Sequence, residues 1–425
     1  MKRSLGFFES VYTYFNEIAP AHANIGVVVS IHGSLDLDLL RKSLYFLFQR
    51  HHNLRCIINK EANVYFFLDG VDFDAIPLRV VKKTSSEQWK VSFEEEIHRP
   101  FPTDRYLWKL LVLEDVETDQ HEIVASFHHA IMDGLSAYQF FNDLLNYYSL
   151  LFHKTQPKFS PLPLLPPIEQ SVGFNYPEEK YFNNMEKKSV SFWPYHEHVP
   201  LELRKTKFLF RVIDEKLFTS IVIAAKKHQV SINSILHAAL ALSIGRFHKK
   251  VLEFQYHTPM QLRKHCTPPI GKEYLGCFIS VLVISCSNLQ SQSSFWKLAT
   301  EYEKQIRTLI PTAGFSPATF SLSTIATKLN EAINFCEVRN AFAMRSGITN
   351  LGVLSSNVDY NPLTLRSFFF GSVHMVGRYP LFVYASSINK TMFLSLEYIS
   401  PLLDWHSASA VWESFFAILE EITHE

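Results

Sequence analysis

The stretch F-H-H-A-I-M-D-G, from Phe127 to Gly134, decides how the rest of the chain is read. An apolar run, Ile123-Val124-Ala125 and then Ser126-Phe127, leads into the histidine pair, and an amphipathic helical pattern leaves after Gly134. That order predicts a buried strand, a tight turn and a helix, with imidazoles where the strand ends. Histidine alone has an unperturbed pKa, about 6.5, that lets it take and return a proton near neutrality. A general base held in this way contributes roughly 10²–10⁴ in rate. Successive strand residues point to opposite faces, so one histidine is expected to face a site while the other packs. An isolated histidine in such a place is more often an ordinary core group, and the rest of the chain has to decide.

At 425 residues the chain exceeds the usual single core, so one large domain or two lobes is expected. Hydrophobic residues make up 47% and charged residues 19%, the balance of a core-forming protein and not of a disordered one. Lys+Arg and Asp+Glu both number 41, which gives no electrostatic case for nucleic acid or an anionic membrane as partner. Lys2 and Arg3 are followed by Glu9, Asn16 and Glu17, which interrupt any signal-peptide core. No run approaches the roughly 18 apolar residues of a membrane span. Cys56, Cys266, Cys277, Cys286 and Cys336 are odd in number and widely spaced, as expected of reduced thiols in a cytoplasmic protein.

The first half alternates strand and helix signals. Residues 25–31 are β-branched and short, and Asp36 is placed to cap a helix in which Leu37, Leu40, Leu44 and Leu47 share a face. Residues 106–113 and 122–127 predict further strands. Ala137, Phe141, Leu144, Leu145 and Tyr148 mark the buried face of the helix after the D-G turn. Between about 154 and 200 the pattern collapses. S-P-L-P-L-L-P-P, Ser160 to Pro167, forbids regular helix and cannot donate ladder hydrogen bonds. Its apolar residues suggest a linker lying against the protein. The division is an N-terminal lobe over 1–155, a linker over 156–203 and a C-terminal lobe over 204–425. In the second lobe Leu217, Ile221, Ala224 and His228 form one helix face, and 232–247 is a nearly all-apolar helix. Strands are predicted at 251–257, 274–285, 348–354, 379–385 and 392–398.

Three further segments accompany H-H-A-I-M-D-G in order along the chain. R-S-L-G-F-F-E-S (Arg3 to Ser10) is similar to the opening R-x-L-G-x-x-E of alcohol O-acetyltransferases. R-H-H-N-L-R-C-I-I (Arg50 to Ile58) resembles an R-H-P-x-L-R-T segment. M-Q-L-R-K-H-C-T-P-P-I-G-K-E-Y-L-G-C-F (Met260 to Phe278) resembles D-x-R-x-R-L-x-P-P-L-P-x-x-Y-F-G-N. Together they resemble the condensation-domain and acyl-CoA-dependent acyltransferase superfamily, which has the chloramphenicol-acetyltransferase-like fold. The resemblance implies an α/β architecture of two lobes, each a mixed sheet flanked by helices, with a tunnel at their interface. A monomer is expected. The 36 phenylalanines could line such a tunnel, although most must be ordinary core.

The resemblance also implies roles. His129 would be the general base, lifting a proton from an acceptor hydroxyl or amine as it attacks an acyl thioester, then protonating the departing thiolate. Holding donor and acceptor together removes much of the entropic barrier, so no covalent acyl-enzyme is needed. His128 would pack on the other face. Asp133 would turn away from the histidine and form a structural ion pair with Arg263. Gly134 leaves room beside the imidazole. The oxyanion of the tetrahedral intermediate needs a donor, and the candidates are Thr349 and Asn350 in G-I-T-N-L-G, with Ser355 and Ser356 a few residues on. The pattern has departures. D-F-G-W-G is absent, Cys277 stands where asparagine is usual, and His52 replaces a proline. There is no G-x-G-x-x-G, Walker A or G-x-S-x-G, and the His128, His129 and Asp133 set lacks the spacing of a metal site. No metal or resident cofactor is expected, with acyl-CoA or acyl-phosphopantetheine as co-substrate. The expected activity is O-acyl transfer from acyl-CoA to an alcohol. The alternatives are a free-standing condensation enzyme that takes its acyl group from an acyl carrier protein, and a catalytically silent binding scaffold.

Overall fold

A computed structural model describes residues 2–172, 190–310, 321–354 and 358–424. Two six-stranded mixed sheets form the centres of two lobes, each with its own apolar core. In the first sheet the central strand is Gln120–His128, buried from His121 onward. Asn24–His32 and Trp108–Glu114 flank it antiparallel, with Asn24 opposite His128, and Leu78–Lys82 runs parallel beyond Trp108–Glu114. Helices cover both faces, which is why this strand reads as a continuous apolar run. On one face the helix Gln88–Ile97 approaches Gly26 so closely that a Cβ there would stand 2.1 Å from Ile97 Cγ2. On the other, Phe140 of the helix Gly134–Phe152 packs edge-on against Phe127, and Ala137, Phe141, Leu144, Leu145 and Tyr148 are fully buried. Asp36 caps Leu37–Arg50 by accepting from the Asp38 and Leu39 N–H groups.

The second sheet runs in the order Ile279–Leu289, Leu252–Gln261, Arg345–Val353, Leu381–Ile388, Thr391–Ser400, Lys205–Ile213. The strand expected from 274 starts only at Ile279. Upstream, the backbone at Gly276 and Phe278 is committed instead to Asp133, Ser136 and Leu262. Ile232–His248 is a core helix buried almost throughout, between Phe295–Leu309 and Trp405–Glu421. Among the described residues no single helix is long and apolar enough to cross a membrane.

The boundary drawn at 204 is not a boundary in space. Asp359–Tyr360 and Leu363–Ser372, from the C-terminal half, are outer strands of the first sheet, the latter antiparallel against Asn24–His32. Sequence patterning predicted no strand there. The apolar phase L-T-L-R-S-F-F-F shifts at a bulge between Leu365 and Ser367, which breaks the two-residue period. The part of the linker before residue 173 does lie on the protein. Leu162 exchanges backbone hydrogen bonds with Arg50 and His52 (2.7 and 3.3 Å), Leu164 is buried, and Ser171 accepts from Thr267 of the second lobe at 2.8 Å.

The helix Phe7–Ile18 is wedged between the lobes. Phe8 packs with Leu262 and Cys277, while Val11 and Phe15 pack with Ile325, Leu329 and Val376. Its N-terminus is held by two residues of the R-S-L-G-F-F-E opening. Arg3 forks onto Glu9 with two 2.7 Å contacts, and Glu9 also accepts from Gly6 N at 2.6 Å. Glu169, from the linker, accepts from Phe7 N at 2.8 Å.

Candidate active site

A cavity of about 360 Å³ lies between the lobes, and His129 is in its wall. The strand Gln120–His128 ends in a single 3-10 turn, His129–Ile131, before the helix Gly134–Phe152. This places His129 where the sheet meets the cavity. Tyr12 of the wedge helix stacks flat on its ring, with centroids 3.9 Å apart and planes within 3°. Nδ1 of His129 is buried without a hydrogen-bond partner, so Nε2 is the nitrogen open to the cavity. Burial pushes the imidazole down to about 4, only partly offset by the His129 and Met132 carbonyls and the Asp133 charge. The ring is therefore neutral at physiological pH and able to accept a proton.

His128 is fully buried and outside the cavity wall. Its Nδ1 accepts from Ala130 N at 3.2 Å, capping the turn that carries His129. Burial and the neighbouring His129 hold it at about 3. Its place is that of a structural cap.

Asp133 does not reach His129. Its Oδ1 accepts from Ser136 N at 2.7 Å, capping the helix, and its Oδ2 accepts from Phe278 N at 3.0 Å. Arg263 meets both oxygens, at 3.0 and 3.4 Å, and donates further to Ser136 Oγ and the Tyr274 carbonyl. Both side chains are under 5% exposed. Apart from the Ser136 cap, the contacts of the carboxylate fasten the turn of the first lobe to the Met260–Phe278 segment of the second. At Gly134 a Cβ would stand 2.7 Å from Leu351 Cδ2 and 3.4 Å from Phe370, so the missing side chain makes room for the two strands that cross behind the turn.

Thr349 and Asn350 both border the cavity, on Arg345–Val353. The Asn350 side-chain carbonyl accepts from Gly352 N at 2.9 Å, which leaves its NH₂ as the donor end, without a partner among the described residues. Ser355 and Ser356 lie outside the described residues. Among the described residues no group of three or more His, Cys, Asp or Glu is arranged to hold a metal ion. His52 stays at the lobe surface, 3.8 Å from Asp69. Cys277 is buried in the apolar seam beside Phe8, and burial holds its thiol well above the usual range.

Two features of the wall were not foreseen from sequence. One is Tyr12, whose signal was a position on the inner face of the first helix. The other is a carboxylate-backed imidazole, His374 with Glu397, brought together from a loop and a strand 23 residues apart. No local pattern announces that pairing.

The family model for the condensation domain matches residues 12–425. The nonribosomal peptide synthetase penN of Penicillium thymicola is 28% identical over 214 residues, 49% of this chain and 7% of that protein. The chain thus spans only a small fraction of such a curated relative. Among solved structures, the TRI3 trichothecene 15-O-acetyltransferase of Fusarium sporotrichioides superposes with a TM-score of 0.75 at 14% identity, covering 99% of this chain and 95% of that one. The first condensation domain of the calcium-dependent antibiotic synthetase, in complex with a substrate analogue, gives 0.73 at 13% identity, covering 100% and 97%. With the fold, the H-H-x-x-x-D-G turn and a family match over nearly its whole length, this chain belongs to the condensation-domain family of acyl-transferring enzymes.

Proposed function

We propose that the chain moves an acyl group from a thioester donor to a protic acceptor, an alcohol or an amine, bound opposite it in the interlobe cavity. His129 Nε2 takes the acceptor proton as its oxygen or nitrogen attacks the thioester carbonyl, and returns it to the leaving sulfur. The C–O or C–N bond forms as the C–S bond breaks, so the protein ends unchanged. The observation that carries this reading is the cavity-facing His129 held between the Tyr12 ring and a cap supplied by His128. The Asp133–Arg263 pair keeps the turn in place, and the Asn350 NH₂ is a candidate donor to the oxyanion.

Acyl-CoA as donor and an alcohol as acceptor are supported by the R-S-L-G-F-F-E opening, whose Arg3 and Glu9 build the N-terminus of the wedge helix. A carrier-protein thioester is the second reading, supported by the peptide-synthetase relative. The test is thiol release from acyl-CoAs of graded chain length and from an acylated carrier protein, mixed with pooled alcohols and amines, with His129→Ala in parallel. Acceptor-dependent release lost in the variant is expected. Release unchanged by His129→Ala would refute the mechanism, and binding without turnover would mark a silent scaffold.

A further inference from the structure

Besides His129 the cavity wall carries His22, His257 and His374, none of which the mechanism above uses. His374 sits in the loop after Leu363–Ser372, on the second-lobe side, with its side chain one-fifth exposed to the cavity. Its Nδ1 lies 2.8 Å from both oxygens of Glu397, a carboxylate buried in Thr391–Ser400. Tyr384 donates its phenol to the same carboxylate at 2.6 Å. Burial holds that phenol well above its usual range, so it remains a donor. The loop is pinned by the Thr206 hydroxyl, which bonds both the His374 carbonyl and N–H. An imidazole in its neutral form carries its proton on the nitrogen that meets a carboxylate, which leaves the other nitrogen as the acceptor, the same logic that orients a triad histidine. Around it stand His22 and Tyr379 (ring centroids 5.7 and 5.6 Å), with Arg378 four residues along and His129 near enough for their charges to interact. Burial lowers the His22 imidazole well below its usual value, and among the described residues Glu397 is the carboxylate in contact with His374.

An alcohol gives up one proton in acyl transfer, and His129 is enough for it. An amine that enters protonated gives up two. We propose that His374, oriented by Glu397 and Tyr384, is a second proton acceptor of this cavity and takes the first proton from an acceptor that arrives as an ammonium. That proton passes to His374 Nε2 and then to solvent. The second goes to His129 and on to the leaving sulfur, as the C–N bond forms and the C–S bond breaks. The products are amide, thiol and one released proton.

This inference rests on the acyl-transfer reading, and the experiment separates the two. The unmodified protein, His374→Ala and Glu397→Gln are assayed with octanoyl-CoA and an octanoyl-loaded carrier protein against 2-phenylethylamine and 2-phenylethanol, from about pH 6 to 10.5, a range that brackets the titration of an alkylammonium. With the amine, both variants are expected to lose about 10²–10³-fold in kcat/KM near neutral pH. The loss should shrink as pH approaches the ammonium pKa, near that of lysine at about 10.4. With the alcohol, any loss should be smaller than with the amine and should not change with pH across this range. An equal loss on both acceptors, or a loss on the amine that ignores pH, overturns the inference while leaving acyl transfer standing. Transfer by the unmodified protein to neither acceptor overturns the acyl-transfer reading itself. Should the variants fail to fold, ¹⁵N-histidine NMR of the unmodified protein decides: an Nδ1–H tautomer for neutral His374 is expected, and an Nε2–H tautomer would overturn the proposal.

Discussion

Replacing Asp133 with alanine should cost stability first and activity through it. The carboxylate accepts from two buried backbone N–H groups, Ser136 and Phe278, and from both Arg263 Nη atoms. Alanine strands those two amides, each a loss of about 1–3 kcal/mol, and leaves a guanidinium that is 4% exposed without a counter-charge. These contributions overlap, because the same relaxation relieves them together. Breaking one side of a buried pair costs about 3–5 kcal/mol, and that is the expected value here. Arg263→Met should cost a similar amount. The double variant should cost little more than either single one, giving a coupling of about 3–4 kcal/mol. Urea unfolding of the four proteins gives the cycle, with transfer rates measured on the same samples. If Asp133→Ala loses transfer while losing under about 1 kcal/mol of stability, the carboxylate acts in the chemistry and the structural account is wrong. Additive single variants would show that the pair does not couple the lobes.

Further outcomes are expected at three positions, His129, Glu169 and Gly134. His129→Ala should lower kcat/KM about 10²–10⁴-fold while keeping the native circular dichroism spectrum. Because burial lowers His129 to about 4, kcat/KM with an alcohol acceptor should hold below the ordinary histidine value of about 6.5 and fall only near pH 4; an acid limb centred at that ordinary value would contradict the geometry. The same depressed value means that its contribution to stability is fully present above about 6.5 and lost as pH falls toward 4. Glu169 runs the other way. Burial raises it to about 7, so the folded state holds its proton more tightly than the unfolded chain does, and that stability is lost as pH rises from about 4.5 through 7. Glu169→Gln should match the native protein at about pH 5 and exceed it at about pH 9 in thermal unfolding, and equal pH dependence would refute the assignment. Gly134→Ala should cost about 1–3 kcal/mol by pressing on Leu351, and Leu351→Ala in the same chain should recover part of that loss in a denaturant titration.

Much of this structure is legible in the chain, for reasons that differ by element. Strands such as Asn24–His32 and Gln120–His128 show because burial on both faces demands unbroken apolar runs. The helix Leu37–Arg50 shows through its cap and its leucine spacing. Leu363–Ser372 stayed hidden because a bulge shifts its phase and its partner lies more than 300 residues away. The site divides along the same line. His129, Asp133 and Gly134 are near neighbours in sequence and could be named together. Tyr12 on the ring of His129 and Glu397 behind His374 depend on contacts between separate segments, which no local pattern encodes.

The strand Leu363–Ser372 also sets a clock on synthesis. Until residue 372 has left the ribosome, Asn24–His32 has no partner on one side, and its row of valines is an open template for other chains. From the end of Gln120–His128 to the start of Leu363–Ser372 is about 235 residues, which at about 5–20 residues per second means a wait of roughly 10–50 s. A nascent chain this exposed for this long is where holdase chaperones should bind, and where truncation before residue 363 should yield aggregates in place of a free first lobe.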